Sequence, residues 1–464
     1  FKDCIVLMKG LEKFDRDLRE VFNQTNTQML NVHNFISISS IGYHFANRFG
    51  CFDECYRLSG KPQDFIQRCV SGGRTMTANN QKQYIEGRIQ DFDAVSLYPS
   101  AMYIMDGVPK GIPKIIPKDT THEQLMEYDT FFIEINIKKI ECKSKKPYAF
   151  GQVFRKNDAG SKIFDNKPID NFYIDKIGLM DLIEFYDIEY ELIRGYYFDE
   201  GFNKKINFFI EGLFNLRLKY KKEKNPLQST IKLLLNSIYG KSILKAMKTE
   251  TKCVPRDSIF KYIWRNYNYI SEIIDEPSID KIYVRKFNAI NNHFNLPQFG
   301  ASVLSWSKHL MNRVMASAEQ EGVPIFYQDT DSMHLFEKDL PKIADIYQFK
   351  YHKKLIGEEM CQFHNDFDSF EGAVGKIYSR KLIALGKKSY LDILVDEEGH
   401  EGYHIRLKGI PHQVILNKCK RMGITVEELY ERLYKGEEME FDLLDGTNAF
   451  KKTKTFQQTN LPTF

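Results

Sequence analysis

The sequence contains no apolar run long enough to cross a bilayer, which takes about 20 residues. It also contains no internal repeat and no low-complexity tract. Its eight cysteines are scattered, and Cys51 and Cys55 have no second pair that would complete a zinc site, so we expect free thiols of an intracellular protein. The 66 basic and 62 acidic residues leave a net charge of only +4, so any surface for nucleic acid must be local.

The chain begins with "FKDCIVLMKGLEKF", which lacks an initiator Met and a signal peptide and has the pattern of the middle of a helix. We therefore expect a fragment or a processed product. The 464 residues have room for two or more domains, and 42% hydrophobic residues describe an ordinary globular protein. Predicted strands and helices occur in groups instead of alternating, which favours an α+β fold.

Two carboxylates stand one residue apart in "YQDTDSMHL" (327–335), at a predicted hairpin tip. Asp and Thr are ordinary turn residues, so a plain turn is one explanation of Asp329 and Asp331. The other is a metal, because neighbouring carboxylates resist ionising together unless a cation lies between them. Asp93 ends a predicted strand and is either a helix cap or a third ligand, whereas Asp91 is expected to be a flanking surface acid. The three acids together would suit two Mg²⁺ ions acting at phosphorus. A rival chemistry for the Asp-x-Asp pair is that of nucleotide-sugar transferases.

Two predicted helices, 203–223 and 226–240, form an antiparallel pair with its tip near 224–225. Their spacing places cations at similar heights across a groove, an arrangement that suits a triphosphate. The residues expected to line this groove are Arg217, Lys221, Lys232, Asn236, Tyr239 and Gly240. Lys222 and Lys224 are better explained as solvated residues that favour the helix dipole.

Tyr98 follows Asp93 by five residues and precedes Pro99. A ring at this position would stack under a sugar and clash with a 2′-hydroxyl, the group that distinguishes RNA from DNA. The alternative is a tyrosine of the hydrophobic core.

Three segments resemble, in order, motifs A, B and C of family B DNA polymerases. They are "DFDAVSLYPS" (91–100), "KLLLNSIYG" (232–240) and "YQDTDS" (327–332). The likeness is greater to the protein-primed branch of bacteriophages, virophages and linear mitochondrial plasmids. It implies a right-hand polymerase fold with palm, fingers and thumb.

Further motifs extend the resemblance over nearly the whole chain. "SGGR" (71–74) resembles the family's Tyr-x-Gly-Gly linker, with Val70 in place of the tyrosine. "KSY" (388–390) matches the Lys-x-Tyr motif that holds the primer end, and "LKG" (407–409) resembles a Lys-Gly element of the thumb side. "FKD" resembles the end of the third exonuclease motif, which would make Asp3 a remaining exonuclease acid.

The resemblance implies a role for each matching residue. Asp93, Asp329 and Asp331 would be the catalytic acids; Asp93, Asp331 and Ala94 would bind metal, with Asp329 in support. The nucleotide would be bound by Ser96, Leu97, Tyr98, Arg217, Lys221, Lys232, Asn236 and Tyr239. DNA would be contacted by Ser71, Gly72, Gly73, Gly240, Thr330, Ser332, Lys388, Tyr390 and Lys408.

The resemblance also divides the chain into seven regions. In chain order we expect a helical remnant that leads to the palm (1–74), the first part of the palm (75–111), an insert resembling the terminal-protein region (112–201), the fingers (202–241), a second insert (242–296), the second part of the palm (297–370) and the thumb with the C-terminal region (371–464).

The function implied is that of a DNA-directed DNA polymerase that extends a primer 3′-OH with two Mg²⁺ ions, with Mn²⁺ as the alternative ion. Expected partners are primer-template DNA, deoxynucleoside triphosphates and a terminal (priming) protein, without a membrane. We expect an intracellular location, at a viral replication site, in the cytoplasm or in a mitochondrion. Three alternatives remain open: a nucleic-acid-primed family B polymerase, a non-catalytic polymerase-derived DNA-binding protein, and an RNA polymerase or reverse transcriptase. An enzyme of the last kind should lack the Tyr98 gate followed by motif B.

Overall fold

The structure is a computed structural model. It describes residues 2–24, 34–35, 37–144, 147–158, 160–244, 249–274, 280–288, 295–367, 370–443 and 451–456. Helices α1 to α13 span, in chain order, Lys2–Gln24, Ile38–Arg48, Gly60–Cys69, Leu97–Ile104, His122–Glu127, Lys176–Phe185, Lys205–Lys222, Leu227–Ser242, Ile259–Asn266, Pro297–Gln320, Leu340–Tyr351, His412–Met422 and Val426–Tyr434. Within these ranges, no helix has both the length and the apolar character that a membrane span needs.

Strands β1 to β21 span, in chain order, Thr75–Thr77, Gln83–Ala94, Val108–Pro109, Lys114–Ile115, Thr130–Cys142, Phe154–Lys156, Lys162–Phe164, Ile169–Asp175, Tyr186–Phe198, Phe202–Asn203, Thr249–Pro255, Ile270–Ile274, Lys281–Phe287, Ile325–Asp329, Ser332–Phe336, Phe363–Asn365, Tyr378–Gly386, Ser389–Val395, Glu401–Leu407, Met439–Asp442 and Lys451–Lys454.

The chain forms two compact units. The first comprises Phe1–Val70, Met105–Phe132 and Gly195–Val303, and the second comprises Ser71–Ile104, Ile133–Arg194 and Leu304–Phe464. The chain passes from one unit to the other inside β5, β9 and α10 as well as in loops. The seven regions expected from the sequence do not coincide with these two units, and that finer division stays a prediction.

An eight-stranded sheet dominates the second unit, in the order β1-β14-β15-β2-β17-β18-β19, with β16 also paired to β2. Its pairings are antiparallel. Strands grouped in one antiparallel sheet are typical of the α+β class, which confirms the expected fold class.

Alternation along the strands decides what this sheet presents on each face. Phe92 of β2 and Met333 of β15 point to one face, where they pack against Val314 of α10 and Ile343 of α11 in one buried cluster. Because successive side chains of a strand point to opposite faces, Asp93 is directed to the other face. The hydrophobic core thus fixes the register of the acidic residues.

The C-terminal part of the same sheet has its own core. Strands β17 to β19 pack Ile383, Leu391 and Ile405 against α12 and α13, which contribute Ile415 and Leu429 among others. The predicted thumb region therefore shares a continuous sheet with β2.

The insert expected at 112–201 contains longer strands than its sequence pattern indicated, because β5 and β9 each have 13 residues. They belong to a sheet of order β4-β9-β5-β8, and β6 and β7 form a separate hairpin. Two charged residues tie this sheet together: Arg194 Nε donates to Glu134 at 2.6 Å. Part of the lysine-rich loop of this insert, at 145–146 and 159, lies outside the described residues.

The first unit contains the predicted helical pair as α7 and α8, as expected from the apolar spacing. The second helix begins at Leu227, whose backbone N–H donates to Asn225 Oδ1 at 3.0 Å. The region expected as a second insert contributes a three-stranded sheet of order β11-β13-β12, on which α9 packs through Ile259.

Candidate active site

The hairpin formed by β14 and β15 places the paired acids at its tip. Asp329 and Ser332 are opposite each other in the register, and Thr330 turns the chain with a φ of 66°. The Asp331 N–H donates to the Asp329 carbonyl at 2.8 Å, which closes the turn. A non-glycine residue in this left-handed region is uncommon and marks a constrained site.

The Ser-Gly-Gly-Arg linker supports this tip directly. The Thr330 N–H donates to the Arg74 carbonyl at 2.8 Å, and a Cβ added to Gly73 would lie 2.5 Å from Thr330 Cγ2. Position 73 therefore needs glycine because the hairpin tip packs against its backbone. Gly72, in contrast, is exposed, and a Cβ there would meet no atom within 4 Å.

Asp93 and Asp331 come from neighbouring strands. Asp93 on β2 is the register partner of Ser332, and the Ala94 N–H donates to the Asp331 carbonyl at 2.9 Å. Both acids are half-buried. The pKa of Asp331 is raised by burial and further by the charges of Asp329 and Asp366, which outweigh the lowering effect of Lys388, so a further cation beside this carboxylate would be favourable.

Asp329 is held by three neighbouring side chains. Thr75 Oγ1 donates to its Oδ1 at 3.0 Å, and the Tyr327 hydroxyl donates to its Oδ2 at 3.4 Å. Lys388 Nζ lies 2.9 and 3.1 Å from the two oxygens. An acid that is already paired is suited to support the site instead of binding the metal itself, as the resemblance implies.

The Lys-x-Tyr turn is fastened to the same hairpin. The backbone N–H of Lys388, whose φ is 52°, donates to the Tyr327 hydroxyl at 2.9 Å. The Tyr390 ring is only 5% exposed and lies 4.8 Å from the Tyr327 ring. Its direct contact with DNA stays a prediction, and what the structure shows is a ring that supports Tyr327.

The sequence pattern did not predict a network of buried charged residues close to the acids. Asp91 was expected to be a surface acid, which is wrong, because it is buried and lies opposite His334 in the register of β2 and β15. His334 Nε2 lies 3.0 Å from Asp392 Oδ2, and its Nδ1 lies 3.5 Å from Asp91 Oδ1. Burial raises the pKa of Asp91 to about 6, against the lowering effect of His334. Asp91 and Asp93 are two residues apart in β2, and this spacing could have predicted that Asp91 lies on the same face of the sheet as Asp93.

The turn between β2 and α4 positions the predicted nucleotide residues. Ser96 has a φ of 49°, and its carbonyl accepts from the Ser100 N–H at 2.8 Å. Tyr98 is half-buried in the first turn of α4. The side chains of Leu97 and Ala94 are buried in the core, so only their backbone atoms are available for the roles expected of them.

Three further predicted DNA contacts lie in the same unit as the hairpin. Ser71 is buried, and its Oγ accepts from Lys162 Nζ at 2.7 Å. Ser332 is half-buried at the start of β15. Lys408 is exposed, and its backbone N–H donates to Ser389 Oγ at 3.2 Å.

The predicted triphosphate residues lie on α7 and α8 of the first unit. Lys221, Lys232 and Asn236 are exposed, and Arg217, Tyr239 and Gly240 are half-buried. The space beside Gly240 is open, since a Cβ there would meet no atom within 4 Å. That these side chains face the acids of the second unit stays a prediction.

In the described part of the chain, no group of three or more His, Cys, Asp or Glu side chains is arranged to hold a metal ion. A metal ion at the carboxylates of Asp93 and Asp331 would therefore need further ligands. Mg²⁺ is usually bound in this way, by one or two carboxylates together with substrate phosphates and water.

Comparison with known proteins decides the family. Residues 1–321 match the family model described as DNA polymerase type B, organellar and viral. The chain belongs to this family. The resemblance inferred from the three motifs is thereby confirmed.

Two family relatives illustrate the extent of the likeness. The chain is 26% identical over 303 residues to the DNA polymerase of Bacillus phage B103, a match that covers 63% of this chain and 46% of the relative. It is 24% identical over 297 residues to the DNA polymerase of Streptococcus phage Cp-1, covering 61% and 46%. The chain thus spans slightly less than half the length of these relatives.

Among solved structures, the Phi29 DNA polymerase in complex with primer-template DNA and incoming nucleotide is similar, with a TM-score of 0.61 and 16% identity. The match covers 95% of this chain and 70% of that chain. It shows that the chain has the polymerase fold, in agreement with the expected right-hand architecture.

Proposed function

We propose that the chain is a DNA-directed DNA polymerase that adds deoxynucleotides to a primer 3′-OH by two-metal-ion nucleotidyl transfer. The observation that carries this proposal is the meeting of Asp93 and Asp331 at the ends of β2 and β15 in a member of this family. Asp329, paired with Lys388, supports the hairpin that presents Asp331.

The donor set fits Mg²⁺, with Mn²⁺ as the alternative ion. Half-buried carboxylates are hard oxygen ligands, and the pKa of Asp331 is raised by burial and by the charges of Asp329 and Asp366, against the lowering effect of Lys388, so a further cation at this carboxylate would be favourable. Such ions supply charge stabilisation at the attacking and leaving oxygens. Asp93 and Asp331 would hold them, and the remaining task of the protein is positioning.

The proposed substrates are primer-template DNA and deoxynucleoside triphosphates. In this proposal Arg217, Lys221 and Lys232 bind the triphosphate, and Tyr98 excludes ribonucleotides. The exposed ammonium groups on α7 and α8 support the first assignment, because phosphate oxygens favour charged donors.

We also propose that a terminal protein can serve as primer. The support is the family, which comprises organellar and viral enzymes, together with the insert between the first acid and the helical pair. In this mode a hydroxyl of the priming protein takes the place of the primer 3′-OH.

The test is templated extension of a short primer by the purified chain, with each deoxynucleotide supplied singly in Mg²⁺. We expect incorporation only of the nucleotide complementary to the template base. Failure to extend any primer, with intact folding and DNA binding, would favour a non-catalytic DNA-binding protein. A parallel reaction with the priming protein from the same genome should yield a covalent nucleotide–protein product, and its absence would leave a polymerase that uses nucleic-acid primers.

A further inference from the structure

The hairpin of β6 and β7 places two lysines opposite each other. Lys156 and Lys162 are register partners in this short antiparallel pair. Like charges directly opposite each other destabilise a strand pair. A hairpin of three-residue strands retains such a pair at a cost to its own stability.

Lys162 does not extend into solvent. Its Nζ donates to Ser71 Oγ at 2.7 Å and lies 4.4 Å from the centre of the Phe154 ring. Lys387, which directly precedes the Lys-x-Tyr motif, donates from its Nζ to the Lys162 carbonyl and lies over the Phe164 ring. The contacts of these two lysines therefore join three segments that are far apart in sequence. Their partners are neutral groups, namely a hydroxyl, a carbonyl and two aromatic rings.

The charges that act on these two lysines are positive. Burial lowers the pKa of Lys162, and Lys308, Lys156 and Lys387 lower it further, to about 8. Burial and the charge of Lys408 lower the pKa of Lys387. Within the described ranges neither lysine forms an ion pair with a carboxylate.

Two carboxylates of the same unit are associated with other lysines. Burial raises the pKa of Asp175, and the charge of Lys308 offsets part of this rise. Asp329 is bound by Lys388. Clustered, partly desolvated cations without a counter-charge are costly to maintain. Such a cluster is more readily explained as an anion-binding site than as a structural element.

Further lysines lie close to this pair. Burial lowers the pKa of Lys454, and the charges of Lys452 and Lys408 lower it further. A group of several lysines fits a polyanion better than it fits one isolated phosphate group. Ser71 adjoins the exposed Gly72, where the surface is open to a nucleic-acid backbone.

We propose that Lys162 and Lys387, together with the Ser71 hydroxyl, form a binding site for a backbone phosphate of the primer-template DNA. The inference rests on the proposed function for the identity of the nucleic acid. It assigns to the β6–β7 hairpin a direct role in holding DNA beside the linker that supports the catalytic hairpin.

The test compares three variants of the full chain, Lys162→Met, Lys162→Arg and Lys139→Met. For each variant the Kd for primer-template DNA is measured at several salt concentrations in the absence of nucleotide. Lys139 is the matched control, because it is a surface lysine of the same unit that pairs with Glu141. We expect Lys162→Met to weaken DNA binding about tenfold and to reduce the slope of log K against log salt by about 1. The control should bind like wild type, and no variant should change the KM for deoxynucleotide at saturating DNA.

A pH series keeps the inference testable if Lys162→Met folds poorly. DNA binding favours the charged lysine, so wild-type affinity should fall as the pH rises from 7 to 9. In Lys162→Arg this fall should be smaller, because a guanidinium stays charged over the whole range, and only the titration of Lys387 would remain.

Unchanged affinity and salt slope in Lys162→Met, or an identical pH profile in Lys162→Arg, would overturn the inference. A raised KM for nucleotide with unchanged DNA affinity would also overturn it, since the anion would then be the triphosphate. Loss of DNA affinity in a chain that extends no primer would support this site and contradict the proposed function.

Discussion

Asp329 shows at the scale of single residues why two acids can stand next to each other. Its two oxygens are bound by Thr75, Tyr327 and Lys388, so its charge is already offset by an ammonium group. Asp331, one residue later, has a raised pKa, because burial and the charges of Asp329 and Asp366 outweigh the lowering effect of Lys388. The pair is therefore unequal, with one acid that supports the turn and one that is suited to a metal ion.

Tyr98 is the residue for which a single substitution gives the most specific result. Replacing Tyr98 by Val should reduce the discrimination against ribonucleotides by about 100-fold, because the ring that would clash with the 2′-hydroxyl is lost. Tyr98→Phe keeps the ring and should keep the discrimination. The measurement is the ratio of kcat/KM for deoxynucleotide and ribonucleotide, and an unchanged ratio in Tyr98→Val would assign the ring to the core.

His334 gives a prediction for stability and pH. Burial alone would lower its pKa, but the charges of Asp392 and Asp91 outweigh this effect and raise the pKa to about 9. Because this value lies above that of the unfolded chain, the charged ring stabilises the fold fully below about pH 6.5, and this contribution is lost as the pH rises through about 9. Between pH 7 and 9.5 the free energy of unfolding should fall by on the order of 2 kcal/mol more in wild type than in His334→Gln.

The control for this measurement is His412→Gln, which replaces an exposed histidine at the start of α12. It should follow the wild-type pH profile. Parallel profiles for wild type and His334→Gln would mean that the buried histidine is neutral in the folded protein.

At the scale of elements, the sequence predicts the helices and strands that show a local pattern of residues. The alternation in "QDFDAVSLYPS" predicts the end of β2 and the start of α4, and the apolar spacing around 203–240 predicts α7 and α8, all of which the structure contains. Each signal lies within one element, so it can be read without knowing what the element packs against.

The features that were missed depend on pairing between distant segments. Asp91 became a buried partner of His334 because β2 pairs with β15 in one particular register. Lys162 meets Ser71, 91 residues away, through a hairpin too short to have a recognisable pattern. Neither contact can be inferred from composition or periodicity, since both need the sheet to be assembled first.

The helical pair α7 and α8 can be tested with matched lysines. Lys232→Ala should raise the KM for deoxynucleotide about tenfold, because a charged donor to the triphosphate is lost. Lys222→Ala, at the C-terminal end of α7, removes the same charge from a position without that role and should leave the KM unchanged. Loss of DNA affinity in Lys232→Ala with an unchanged nucleotide KM would contradict the assignment.

At the scale of the whole molecule, the net charge of +4 conceals a strong local separation of charge. The acids at the ends of β2, β14 and β15 are concentrated at one hairpin, and lysines from distant segments gather beside it in the same unit. Such a distribution suits an enzyme that binds metal ions at one point and a polyanion next to them.

In the proposed function Asp331 serves catalysis and is not needed for the fold. The most direct measurement is single-turnover incorporation of one deoxynucleotide in Mg²⁺ by wild type, Asp331→Asn and Asp345→Asn. Asp345 is an exposed acid of α11 and serves as the matched control. We expect Asp331→Asn to bind primer-template DNA and to unfold like wild type while its incorporation rate falls by at least about 100-fold, a loss of about 2.7 kcal/mol of transition-state stabilisation. Incorporation by Asp331→Asn at a rate close to that of wild type and Asp345→Asn would contradict the account.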